Sequence, residues 1–316
     1  MIDFRYHLVS LIAVFMAVAL GIIIGTTALN EPILADIENQ VSALEQDKRG
    51  LEDQTQQLRT QLNTAEKFEQ AVAPALVDGA LAGRSVLLIR TNEDVAPEIV
   101  EEVTTLVTEA GGTVNGAIAL RPEFSDPSTA SGLLSYATGG GLPAGVQLPP
   151  TDDAGQLIGS LMAQVFMVPP AGAPAPDAGA VSSVMAGLTS LDVLSLDSDT
   201  VTPADYAIVL TAGAFTGNDA DERNGTLVKV VSALDARGSG AVVAGDAAAA
   251  DENGLIGTVR ADPATSAAIS TVDNVDAVAG RISTVLALGS ESKGTSGKYG
   301  TGQDTQPAPP VPATTP

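Results

Sequence analysis

The stretch RSVLLIRTNEDVAPEIVEEVTTLVTEAGGTVNGAIAL, residues 84–120, contains three segments in order. The uninterrupted apolar run inside 84–90 reads as a strand buried on both faces. Residues 97–110 space their apolar side chains as a helix does. They open on a proline, carry acids in their first half and stop at Gly111-Gly112. Residues 113–120 read as a second strand. A strand–helix–strand unit of this length calls for parallel strands and a right-handed crossover.

The pattern recurs downstream. Residues 205–210 read as an apolar strand, 222–236 as a helix, Gly238-Ser239-Gly240 as a turn and 241–244 as a strand. The two units end alike, in TEAGGTV (108–114) and DARGSGAVV (235–243). The apolar run 282–288 reads as another strand. The expected fold class is therefore α/β, with a Rossmann-like parallel-sheet domain over residues 80–290. A helix is expected over 152–168, between Pro/Gly-rich loops at 139–150 and 169–180. Residues 291–316 are expected to be a disordered tail, rich in Pro and Thr from about residue 301.

Composition narrows the function classes. The chain has 316 residues, a formal net charge of −23 and no cysteine. Such an acidic chain repels nucleic-acid phosphates, so no nucleic-acid partner is expected. Disulfides, zinc–thiolate sites and thiol nucleophiles are excluded. Aromatic residues make up 3%, so the core must be built from Ala, Val, Leu and Ile.

The N-terminus carries a different signal. Residues 8–29 contain no charge. A helix of that length spans roughly 33 Å, matching a hydrocarbon core of about 30 Å. A secretory apolar region is usually shorter, about 7–15 residues, and a stretch apolar all round at the chain's terminus suits a membrane span better than a core helix. Residues 1–30 are therefore read as an uncleaved signal anchor that crosses the cell membrane once. Arg5 and the terminal amine precede it, whereas Glu31, Asp36 and Glu38 follow it. This bias leaves the N-terminus cytoplasmic and the bulk of the chain on the envelope side. Ala13, Ala17, Gly21 and Gly25 fall on one ridge, and Gly21–Gly25 forms a GxxxG pattern suited to close helix packing.

Residues 31–70 read as a coiled-coil stalk, with Pro32 in the first turn of a new helix. Leu34, Val41, Lys48, Thr55 and Leu62 alternate with Ile37, Leu44, Leu51, Leu58 and Ala65 at spacings of three and four. The flanks carry Glu38, Glu45, Asp47, Glu52 and Glu66 against the single base Arg59. In a parallel homodimer Asp47 would face Glu52 of its mate. That disfavours self-pairing and points to a heteromeric partner helix, with a homodimer as the alternative. The candidate interaction residues are Ala17, Gly21, Gly25, Ile37, Val41, Leu44, Lys48, Leu51, Leu58 and Leu62.

Catalytic patterns do not emerge. The chain lacks GxGxxG and GxxxxGK[ST] phosphate loops. NDADERNG (218–225) resembles a calcium loop, but its sixth position is Asn224 and its twelfth Val230, where Gly and Glu are needed. The single histidine, His7, lies in the anchor, away from any triad partner. Cu(I) prefers thiolate, thioether or imidazole ligands, and the chain offers five methionines and that one histidine. Met162 and Met167 are expected in the core. Thr211–Ala214 and Asp246 follow strands, where a ligand or a catalytic carboxylate would sit. No catalytic, metal or cofactor residue is assigned.

Five blocks occur in order: FRYHLVSLIAVFMAVALGIIIG (4–25), AGGTV (110–114), ARGSGAVVAG (236–245), ISTVDNVDAVAGRISTVLAL (269–288) and KYGTG (298–302). Together they resemble the actinobacterial copper transporter family, which includes mycobacterial copper transport and SteB-type cell-separation proteins. The resemblance runs from residue 1 to about 302. It implies an actinobacterial envelope and two functional descriptions. One is copper efflux through an oligomeric pore or transporter. The other is daughter-cell separation with a SteA-like membrane partner. Weighed with the residues, the expectation is a non-enzymatic scaffold acting through its coiled coil. Copper efflux, and a small-ligand receptor or enzyme using the strand ends near Gly213 and Asp246, are the alternatives.

Overall fold

The computed structural model describes residues 4–170 and 174–311, without the side chains of residues 26–35 and 38. The first element, α1, runs as one helix over Phe4–Val77. The sequence suggested an anchor ending near residue 30 and a second helix opening at Pro32. A proline inside a helix forfeits one backbone hydrogen bond. The strongly helical patterns on either side nonetheless carry the helix across that position. The side chains of Pro32, Leu34 and Glu38 lie outside the described residues.

The chain divides into two units, residues 1–65 and 66–316. The second begins earlier than the expected residue 80, because the last turns of α1 belong to it. Ala73 and Val77 are buried in its core.

After α1, the second unit continues with β1 (Ser85–Arg90), α2 (Pro97–Glu109), β2 (Thr113–Leu120), α3 (Pro122–Ser125) and α4 (Ala130–Thr138). Next come α5 (Ala154–Phe166), α6 (Ala178–Ser190), β3 (Leu194–Leu196), β4 (Tyr206–Thr211), α7 (Ala220–Arg237) and β5 (Ala241–Gly245). The chain ends with α8 (Leu255–Ala261), α9 (Pro263–Ala268), β6 (Ser270–Val272), α10 (Val278–Glu291) and β7 (Lys298–Tyr299).

The strands form one sheet in the order β3-β2-β1-β4-β5-β6-β7. All neighbours are parallel except the antiparallel β2–β3 pair. Both edges are short, which limits the unpaired backbone offered to other chains. Alternate residues of each strand enter two separate cores. Leu87, Ile89, Val209 and Val243 join the helices α4 to α8 on one face. Val86, Leu88, Ile208 and Val242 join α2, α10 and the end of α1 on the other. This two-sided burial explains the continuous apolar strands read from the sequence.

Local chemistry matches the expected boundaries. Pro97 opens α2 with Glu98 in its first turn. Gly111 closes it at φ 80°, and the N–H of Gly112 reaches the carbonyl of Val107 at 3.0 Å. In β2, Asn115 bulges out of register with β1. Its side-chain amide donates to the Pro203 carbonyl at 2.6 Å, and Gly116 accommodates the bulge at φ 151°. Asp153 caps α5 by accepting from the N–H of Gln156 at 2.9 Å.

Two expectations fail in this unit. The run 282–288 is part of helix α10, not a strand. Thirteen of the fourteen α10 residues are buried, so the polar face that would have betrayed helical periodicity is missing. The tail assignment for 291–316 also gives way at its start. Glu291 ends α10, and Lys298–Tyr299 forms the last strand of the sheet. Tyr299 is buried, and Asp273 accepts the backbone N–H of Thr301 at 2.7 Å. Residues 312–316 lie outside the described residues.

Candidate functional site

Two regions hold the candidate residues, and each is built from one structural circumstance. The first is the part of α1 within residues 1–65. Its opening segment, Phe4–Gly25, has 22 residues and a mean hydropathy of 2.8, and none of it is buried in the molecule. It is the one helix among the described residues long and apolar enough to cross a membrane. Ala17 and Gly21 are exposed and Gly25 is half-buried. A Cβ added at Gly21 or Gly25 would meet nothing within 4 Å. The small-residue ridge is therefore open to another helix.

The seam continues in the same helix. Ile37, Val41, Leu44, Leu51, Leu58 and Leu62 are all about half exposed or more, with Leu44 at 69%. They lie on a stripe roughly 100° wide. Lys48 shares the stripe and pairs with Glu52 at 3.6 Å, while Arg49 pairs with Glu45 at 3.1 Å. Thr55 turns its hydroxyl back to the Leu51 carbonyl at 2.7 Å. These contacts keep the polar seam and flank groups on their own helix. A row of large aliphatic side chains in water is unfavourable, by about 25 cal/mol per Å² of apolar surface. The row ends where Ala73 and Val77 enter the head core.

The second region is the crevice where the strand order reverses between β1 and β4. Thr91 and Asn92 follow β1, and Thr211, Ala212 and Gly213 close β4. Ser125 of α3, Phe215, and Arg223 and Asn224 of α7 complete the walls. Of the residues singled out at strand ends, Gly213 lines this crevice and Asp246 does not. The Asp246 carboxylate accepts the N–H of Gly213 and of Ala249, each at 2.9 Å. It clamps two loops, which is a structural role. Thr91, Asn92, Arg223 and Asn224 escaped the sequence reading. The first two merely follow an apolar run, and the others sit in the acidic stretch 218–225, most of which opens α7.

No group of three or more His, Cys, Asp or Glu among the described residues is placed to hold a metal ion. Met162, Met167 and Met185 pack in the apolar core between the sheet and its helices. Their thioethers fill space there.

At the other end of the strands, where β5 and β6 begin, two carboxyls are displaced from their ordinary range. Burial pushes Glu291 up to about 7, against the bond it accepts from the Ser270 N–H at 2.7 Å, and the charge of Asp235 adds to the rise. Burial likewise pushes Asp235 up to about 6, partly offset by the N–H of Ala241.

Comparison with known proteins matches residues 1–310 to the family model described as copper transport outer membrane protein, MctB. The copper transporter MctB of Mycobacterium tuberculosis (strain ATCC 25618 / H37Rv) is 34% identical over 309 residues, covering 96% of this chain and 97% of that protein. The copper transporter MctB of Mycobacterium leprae (strain TN) is 33% identical over 310 residues, with the same coverage.

Proposed function

Because this chain belongs to the MctB family of copper transport outer membrane proteins, we infer that it works as a single-pass, membrane-anchored envelope protein. Its exposed N-terminal helix docks partner proteins. The observation that carries this reading is the continuity of α1: a 22-residue apolar span leads into an exposed seam spaced by three and four. The charge bias around the span supports a cytoplasmic N-terminus and an extracytoplasmic head. The acidic flanks of the seam favour a different, less acidic helix over a second copy of this chain. Such a partner fits the SteA-like membrane protein implied by the resemblance, in daughter-cell separation. The reversal of strand order supports a Rossmann-like head. On this reading the head is a ligand-binding or structural module and not an enzyme.

The family description favours a second reading, copper export, with copper as cargo. A single apolar helix cannot line an aqueous pore alone, so export would need an oligomer or a transporter partner. One complementation experiment separates the two. A strain lacking the gene should form chained, unseparated cells at ordinary copper. The wild-type gene should restore separation. A Leu51→Asp/Leu58→Asp allele present in the membrane at normal amounts should not. Copper hypersensitivity with normal separation would overturn the docking reading in favour of export.

A further inference from the structure

The crevice between the ends of β1 and β4 joins a cavity to a concentration of unsatisfied polar groups. Its volume is about 190 Å³. Among the described residues, six buried side-chain polar atoms lack a hydrogen-bond partner. Four of them belong to residues lining this one cavity: Thr91 Oγ1, Asn92 Oδ1, Arg223 Nε and Asn224 Oδ1. Asn224 is fully buried and Thr91 is 5% exposed. Leaving such atoms unpaired is costly, and a cluster of them calls for an explanation.

Their donor and acceptor identities follow from the bonds that are made. The Asn92 amide nitrogen donates to the Ala212 carbonyl at 2.7 Å, and that of Asn224 to the Asn253 carbonyl at 2.7 Å. The unsatisfied end of each amide is therefore its oxygen, an acceptor. Arg223 donates through Nη2 to the Pro122 carbonyl at 2.8 Å, lies over the Phe215 ring at 4.6 Å and pairs through Nη1 with Asp219 at 3.7 Å, while its Nε–H donor has no partner. A ligand meeting this set must offer an acceptor to the Nε–H of Arg223, a role that suits a carboxylate beside a guanidinium, and hydrogen-bond donors to the two amide oxygens. A phosphate group is rich in acceptors and poor in donors, and Asp94 on the same wall opposes a multiply charged anion. The size is restrictive too. A cavity of about 150 Å³ accepts benzene, so this one suits about six to ten non-hydrogen atoms, too few for a nucleotide.

We propose that this crevice binds a small α-amino or α-hydroxy carboxylic acid, with its carboxylate on Arg223 and its amine or hydroxyl on the amide oxygens of Asn92 and Asn224. The Thr91 hydroxyl completes the set. The site is independent of the docking helix and stands whether or not that reading survives.

The test uses the full chain in detergent, titrated by calorimetry and thermal shift. The probes are D- and L-α-amino acids and 2-hydroxy acids of this size, with inorganic phosphate as the contrast. At least one acid is expected to bind and to raise Tm, and the two arms tell an amine donor from a hydroxyl. Thr91→Val keeps the side chain's shape and removes an unpaired hydroxyl, so the free protein should melt no lower than wild type while affinity falls about tenfold. Arg223→Gln should abolish binding, and if that variant does not fold, Thr91→Val decides. The proposal is overturned if no acid binds, if phosphate binds equally well, or if the folded variants bind as wild type does.

Discussion

Asp273 is 1% exposed and sits at the end of β6, where it gathers three donors. The Arg260 guanidinium reaches it at 2.7 Å, and the N–H groups of Thr301 and Gly302 approach at 2.7 and 3.2 Å. The N–H of Gly302 is shared between its two oxygens. Arg260 also donates to the Tyr299 carbonyl at 3.0 Å. Removing one partner of a buried ion pair leaves the other charge stranded, which costs about 3–5 kcal/mol. Asp273→Ala should therefore lower stability by about 3 kcal/mol in chemical unfolding, well beyond an exposed-site change. Glu291 and Asp235 make stability depend on pH. Both fold with pKa values above their ordinary ones, near 7 and 6, because burial disfavours the charged forms. The folded state thus holds more protons than the unfolded chain between about pH 4 and 7, and the stability this confers fades as pH rises through that window. Glu291→Gln keeps an acceptor for the Ser270 N–H and should flatten the decline. Melting temperatures at pH 5 and pH 8 check this: the drop between them should be larger in wild type than in the variant.

One sequence pattern serves two purposes in two helices. In α5, Gly155 and Gly159 repeat the GxxxG spacing of Gly21 and Gly25 in α1. In α5 the pattern is already used, since a Cβ at Gly159 would approach the Val230 Cα of α7 at 3.0 Å. In α1 a Cβ at either position meets nothing within 4 Å. Gly159→Leu should overpack the α5–α7 contact and cost at least about 1–3 kcal/mol in chemical unfolding. Gly21→Leu should leave the head's melting unchanged and instead weaken helix association in a membrane two-hybrid assay. The contrast also shows why the seam of α1 was legible and α10 was not. Along α1, exposed leucines alternate with charges, so the period of the seam stands out. In α10 nearly every side chain is buried, and ISTVLAL carries no period that separates helix from strand.

Across the whole molecule the same division recurs. The strand–helix–strand units, their turns and the helix boundaries of α2, α5 and α7 were readable, because each depends on neighbours close in sequence: a cap, a glycine stop, an alternation of apolar residues. The far end was not. Lys298–Tyr299 looks like the start of a polar tail, yet it completes the sheet beside β6. Removing residues 297–316 should uncover β6 and strip Asp273 of its backbone donors, so the shortened protein should melt clearly lower than the full chain. The apolar span and the seam of α1 were legible for a further reason: they face outward, and an exposed apolar face is conspicuous in a linear reading. The crevice lies at the other extreme. Asn92 and Arg223 are ordinary residues 131 positions apart. They line one cavity because β4 lies beside β1 and α7 follows β4. Local patterning established the N-terminal apolar helix, the seam spacing and the alternation of strands and helices, because short-range spacing alone decides those. Strand order, the burial of α10, the last strand and the polar crevice come from long-range packing, which no short stretch of residues records.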